Sequence, residues 1–116
     1  MKKICCLSSL LNGCIQPSFN GSRTGNQDQL IMEYSIMNTE DSQLLTLQEN
    51  DIVDVQIVSD AGKLSIIFQK NDETPIYEDN EISSSQSFQI LIKEDGDYKV
   101  TVKGYRAKGS VSFIKS

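Results

Sequence analysis

Histidine and tryptophan are absent from the chain, and cysteine stops at position 14. The lack of histidine removes the commonest general base and the commonest zinc ligand together. With Cys5, Cys6 and Cys14 all in the first fourteen residues, the rest of the chain has no disulfide framework and no thiol nucleophile. Aromatic residues make up only 7%, so the core must rest on Ile, Val and Leu with a few Phe and Tyr. No stretch of the body keeps helical periodicity. Bases are scarce in the middle, where residues 24–92 hold Lys63 and Lys70 against thirteen acids. Such a surface repels phosphate backbones, which excludes general nucleic-acid binding by the body. Residues 93–116 carry six bases against three acids within a chain of net charge −5. These basic strands are expected to lie beside the acidic ones as paired neighbours.

What the sequence does hold is alternation. A chain of 116 residues has room for one domain with a buried core. In the stretch Glu94 to Gly104, an acidic turn feeds a strand whose Tyr98, Val100 and Val102 point one way and Lys99, Thr101 and Lys103 the other. Gly96 supplies that turn with a positive φ at no steric cost. The same period of two places Leu30, Met32, Tyr34 and Ile36 on one face of residues 29–37, and Leu45 with Leu47 follows a polar turn at Asn38–Ser42. Val53, Val55 and Ile57 share the next face; Leu64, Ile66 and Phe68 share the one after. Ser59–Gly62 between them reads as a tight hairpin connection. Pro75 confines Ile76 and Tyr77 to the start or edge of a short strand, and Glu78–Glu81 reads as loop. Phe88, Ile90 and Ile92 face inward, and Gly104–Gly109 reads as a turn into a last strand with Val111 and Phe113 inward. About seven to nine short strands with regular turn signals predict an all-β, antiparallel two-sheet β-sandwich, Ig-like or jelly-roll-like, with no helix in the body.

The N-terminus has a different grammar. Lys2 and Lys3 precede the apolar run Ile4–Leu11, and Gly13 and Cys14 follow, the order of a secretory leader. The run is far short of the ~20 residues a membrane-spanning helix needs. Leu11-Asn12-Gly13-Cys14 resembles the lipobox of bacterial lipoproteins, which implies cleavage before Cys14 and diacylglycerol on its thiol. Two acyl chains give a stable anchor where one is marginal. The other reading of these residues is a disordered N-terminal tail or a wrongly assigned start codon. The expected organisation is a lipoprotein signal peptide over 1–13, a linker over 14–27 rich in Gly, Ser and Asn, read as flexible with an edge strand over residues 18–27 as the alternative, and the β-sandwich domain over 28–116.

From about Asp51 onward the chain resembles small β-sandwich domains of surface lipoproteins of Gram-positive bacteria. The likeness rests on Leu47 through Asp51 to Val53, Gly62 to Ile66, Glu94 to Tyr98, and Ala107 to Phe113. It implies an export-linked accessory domain at the extracellular face of the bacterial cytoplasmic membrane, and no activity.

Each chemical constellation has a plainer alternative. Asp72, Glu73, Glu78, Asp79 and Glu81 on two loops form a weak calcium candidate, because calcium takes several hard oxygen ligands, but EF-hand spacing is missing. Asp95 and Asp97 flanking Gly96 suit turn capping better than acid–base work. Ser83, Ser84 and Ser85 have no partner base. Tyr98 is expected to be buried with its hydroxyl on nearby backbone, as in a tyrosine corner. Tyr105, beside Arg106 and Lys108, is the better contact residue, and a groove lined by Tyr77 or Tyr105 would favour ligand binding. No catalytic residue and no cofactor are expected. The function expected is a non-catalytic, membrane-tethered binding module for cell-wall polymer or a surface protein. The alternative is an assembly module acting by edge-strand pairing or dimerisation.

Overall fold

The computed structural model describes residues 18–71 and 73–116, and these form seven antiparallel strands and no helix. They are β1 (Phe19–Gly25), β2 (Gln29–Met37), β3 (Glu40–Leu47), β4 (Ile52–Lys70), β5 (Tyr77–Ile82), β6 (Gln86–Leu91) and β7 (Gly96–Lys115). The leader, Cys14 and the calcium candidate Asp72 lie outside the described residues.

Two strands organise the rest. β4 and β7 pair with each other from Val53↔Lys115 to Lys70↔Tyr98. The first half of β4 and the second half of β7 carry β6, β2 and β1 beside them, giving the order β1-β2-β7-β4-β6. The other halves carry β3 and β5, giving β3-β7-β4-β5. Both long strands fold over midway, so the two arrays stack as the layers of a sandwich. Phe68, opposite Val100 in the second layer, stacks on Phe113, opposite Val55 in the first, with ring centroids 5.8 Å apart.

This corrects the expected hairpin at Ser59–Gly62 and the expected turn at Gly104–Gly109. Those two segments lie opposite each other, Ala61↔Lys108 and Lys63↔Tyr105, and each contains an irregularity within a continuous strand. Gly62 (φ 73°) and Arg106 (φ 53°) adopt the left-handed region there. The cause is the apolar pattern. Buried positions on β4 run Val53, Val55, Ile57 and then Leu64, Ile66, Phe68, switching from odd to even; on β7 they run Tyr98, Val100, Val102 and then Ala107, Val111, Phe113, switching from even to odd. A bulge adds the residue that changes parity and bends the strand. A side-by-side hairpin would leave both apolar faces in one sheet and uncovered, whereas folding each strand over itself buries one against the other.

Smaller corrections follow the same logic. A register shift between Tyr34 and Met37 turns Met37 inward in place of Ile36. β3 begins at Glu40, so the turn before it is shorter than Asn38–Ser42. Glu78–Glu81 belongs to edge strand β5. Residues Phe19–Gly25 pair with β2 as β1, so the linker assignment of 14–27 fails over that range and the ordered body begins before residue 28. Gly96 takes the positive φ expected of it, 159°. What its missing side chain provides is room for the Lys70 chain that passes over it. The core itself is as expected: Val53, Ile66 and Val100 are fully buried and Ile90 nearly so.

Arg23 joins the layers along one margin. From β1 it donates Nε to Asp41 Oδ2 at 2.6 Å and Nη2 to the Ser42 carbonyl at 2.9 Å on β3.

Candidate functional site

Near the fold of the long strands, on the outer side of the first layer, lies a trough of about 560 Å³. One register row crosses four strands there: Ser22 on β1, Glu33 on β2, Ser110 on β7 and Val58 on β4. In the next row Tyr34 has Gly21 on one side and Gly109 on the other. Neither glycine has room for a side chain: a Cβ at Gly21 would run into the Glu33 carbonyl and one at Gly109 into the Val58 carbonyl. Asp60 and Lys108, from the irregular segments of β4 and β7, complete the wall.

Tyr34 is the unusual group. It is 5% exposed, and its hydroxyl is sealed from solvent without a hydrogen-bond partner among the described residues. Such a donor costs about 1–3 kcal/mol when left unpaired. Burial, and after it the Asp60 carboxylate, pushes the Tyr34 phenol from 10.0 up to about 12. The trough thus offers a donor at Lys108, acceptors at Glu33 and Asp60, and hydroxyls that do both at Ser22, Ser35 and Ser110, while the Tyr34 side chain belongs to the buried core. Val58, 41% exposed, adds an apolar contact.

A second concavity, of about 320 Å³, sits at the far end of the sandwich between the β4–β5 and β6–β7 loops. Ile76 and Leu91 line it with Lys93 and Tyr98. Lys70 Nζ donates to Glu94 Oε1 at 2.6 Å, and this hydrogen bond raises the Lys70 ammonium above the usual lysine range. The Tyr98 hydroxyl donates to the Glu94 carbonyl at 2.7 Å, the expected tyrosine-corner bond.

The residues singled out from the sequence fall into other places. Tyr77 packs against Phe88 with ring centroids 4.9 Å apart, Tyr105 stands exposed, and neither lines either concavity. Asp95 Oδ1 accepts the Glu49 N–H at 2.7 Å and Asp97 Oδ1 accepts the Thr46 hydroxyl at 3.2 Å, so these carboxylates tie loop and strand together. Ser85 Oγ accepts the Ser59 N–H. Of the calcium candidates, Glu78, Asp79 and Glu81 lie along β5 and not on converging loops; Glu81 is bound to Lys63, and Asp79 Oδ1 accepts the Glu81 N–H. No group of three acids converges among the described residues, Glu73 included. The C-terminal basic strand lies beside acid-bearing neighbours as expected, with Lys103 opposite Glu40, and among the described residues the one ion pair of that set joins Lys115 to Asp28. Sequence reasoning missed the trough, and its one legible signal was a pair of glycines, Gly21 and Gly109, whose shared neighbour emerges only from the register.

No family model and no curated protein matches the chain. Among solved structures, the pre-peptidase C-terminal domain of collagenase from Bacillus anthracis is similar over 88% of this chain and 99% of its own, at 10% identity and a TM-score of 0.55. CBM4, a carbohydrate-binding module, aligns over 84% of this chain and 76% of its own at 9% identity and a TM-score of 0.42. TmCBM61, described in complex with β-1,4-galactotriose, aligns over 82% and 66% at 18% identity and a TM-score of 0.37. The first of these likenesses, spanning nearly all of both chains, establishes the fold: this chain is a small antiparallel β-sandwich.

Proposed function

We propose that this chain is a non-catalytic binding module, held by lipid on Cys14 at the outer face of a bacterial cytoplasmic membrane, that takes a hydroxyl-rich cell-wall polymer in the trough. The observation that carries the reading is an open concave site that sets Lys108 beside Glu33, Asp60 and three serines, groups that together both donate and accept. A polymer hydroxyl is an acceptor for Lys108 and a donor to Glu33 and Asp60, and hydrogen bonds to ionised groups are the stronger kind. The trough is open, as an entering polymer requires. The assembly alternative is weakened at one of the four sheet margins, β5, which has six residues and carries Glu78, Asp79 and Glu81. Short charged edges oppose strand addition.

Two experiments test the parts separately. Co-sedimentation with purified insoluble wall polysaccharide should retain the wild type and lose Lys108→Gln and Asp60→Asn at least tenfold, while their melting temperatures hold. Unchanged retention of both variants would remove the trough from the function. Metabolic fatty-acid labelling should mark the wild type and miss Cys14→Ser; equal labelling would remove the anchor.

A further inference from the structure

We propose that the fold of the long strands carries a second interaction surface, a basic tyrosine-centred patch that docks on anionic lipid headgroups. Tyr105 is 42% exposed, and the Lys103 ammonium stands 5.3 Å from its ring centroid. Lys63 is its register partner on β4, and Arg106 follows it, also exposed. Among the described residues Lys103 and Arg106 have no ion pair, and Lys63 meets Glu81 at 3.4 Å with both side chains largely in water. The acids of this face, Glu40 opposite Lys103 and Glu81, lie on the flanking strands β3 and β5, so positive charge is central and negative charge peripheral. An exposed tyrosine among bases suits a headgroup layer, where the ring meets the apolar boundary and the cations meet phosphate.

The chain path selects a membrane as the occupant. Asn38 N–H donates to the Ser18 carbonyl at 2.7 Å, and Arg106 N–H donates to Asn38 Oδ1 at 3.1 Å. The point where β1 begins is therefore two hydrogen bonds from the patch. Only three residues separate Ser18 from Cys14, four peptide steps with a reach of at most about 14 Å. If Cys14 is acylated, as proposed above, its lipid holds the patch near the bilayer, within a few Debye lengths of ~8 Å each in physiological salt. The trough lies on the other layer, so polymer and membrane are engaged from opposite faces.

The test uses the full chain carrying Cys14→Ser, which cannot be acylated, so docking is read without the anchor. Partition onto phosphatidylcholine vesicles containing phosphatidylglycerol should exceed that onto phosphatidylcholine alone and should vanish at high salt. Adding Lys63→Gln, Lys103→Gln and Arg106→Gln should weaken partition about fivefold per base, on the order of 100-fold together. Both proteins keep the same N-terminal segment, so the difference belongs to the patch. The chain has no tryptophan, so Tyr105→Trp gives a single reporter whose emission should shift to the blue on the anionic vesicles. Equal partition of the two proteins, or an unshifted reporter, would overturn docking. So would tight binding of soluble polyphosphate to the same bases with no vesicle binding, which would assign the patch to a polymer. Absent fatty-acid labelling removes the anchor and leaves this measurement standing; labelling with no patch-dependent partition removes the docking alone.

Discussion

Replacing Gly62 with asparagine separates a folded-over strand from a hairpin turn. Asparagine tolerates the left-handed region better than most residues, and at a two-residue hairpin turn it is a preferred choice. In a free turn at residues 59–62, Gly62→Asn would therefore be almost neutral. In the structure the Cβ of any residue at 62 runs into the carbonyls of Arg106 and Tyr105 on β7. These are backbone atoms inside a paired ladder and cannot turn aside as a side chain would. Overpacking of this kind costs about 1–3 kcal/mol, and each ladder hydrogen bond that must open adds about 1 kcal/mol. The expected loss is about 2–4 kcal/mol, a large share of the ~5–15 kcal/mol typical of a domain. It corresponds to a fall in melting temperature of roughly 10–25 °C for a body of about 100 residues. Urea and thermal unfolding followed by far-ultraviolet circular dichroism measure it directly. A variant within about 0.5 kcal/mol of wild type would mean that β4 and β7 do not meet at this point.

Tyr34→Phe removes a buried hydroxyl that has no partner among the described residues, so folding stability should hold or rise by about 1 kcal/mol; a clear loss of stability would show the hydroxyl is already satisfied. Because the folded Tyr34 phenol is raised to about 12, native stability is complete below the unfolded value near 10 and is lost as pH climbs through the folded one. Tyr77 and Tyr98 are raised too, chiefly by burial, and contribute to the same alkaline loss. Tyr34→Phe should make denaturation between about pH 10 and 12 shallower, and an identical alkaline profile would contradict the cause given. Tyr98→Phe deletes the bond to the Glu94 carbonyl and should lower the urea midpoint by the equivalent of about 1 kcal/mol; no change would show that the corner bond is not made in solution.

The sandwich was legible because alternation is a local property: Val53, Ile66 and Val100 declare an inward face from their neighbours alone, and each is buried. Asp95 beside Gly96 was equally readable as turn chemistry, although its carboxylate ties down the N–H of Glu49 on another loop and not its own. The parity changes near residues 60 and 106 were present in the sequence as well. A period of two says only that it has been interrupted. A reversal and a bulge interrupt it alike, and the choice depends on which partner each half finds. That choice is made when the two interruptions meet as Ala61↔Lys108 and each strand bridges the break in the other.

The candidate site was hidden for the same reason. Gly21, Tyr34 and Gly109 are far apart in the chain and become a row through pairing register, and Tyr105 gathers Lys63 across a strand pair. The amino-acid sequence by itself determined which side chains leave water, because that depends on their chemistry and the two-residue pleat. Only the tertiary structure decided where the strands bend and which polar groups share a hollow, because those depend on contacts between residues that the linear chain holds apart.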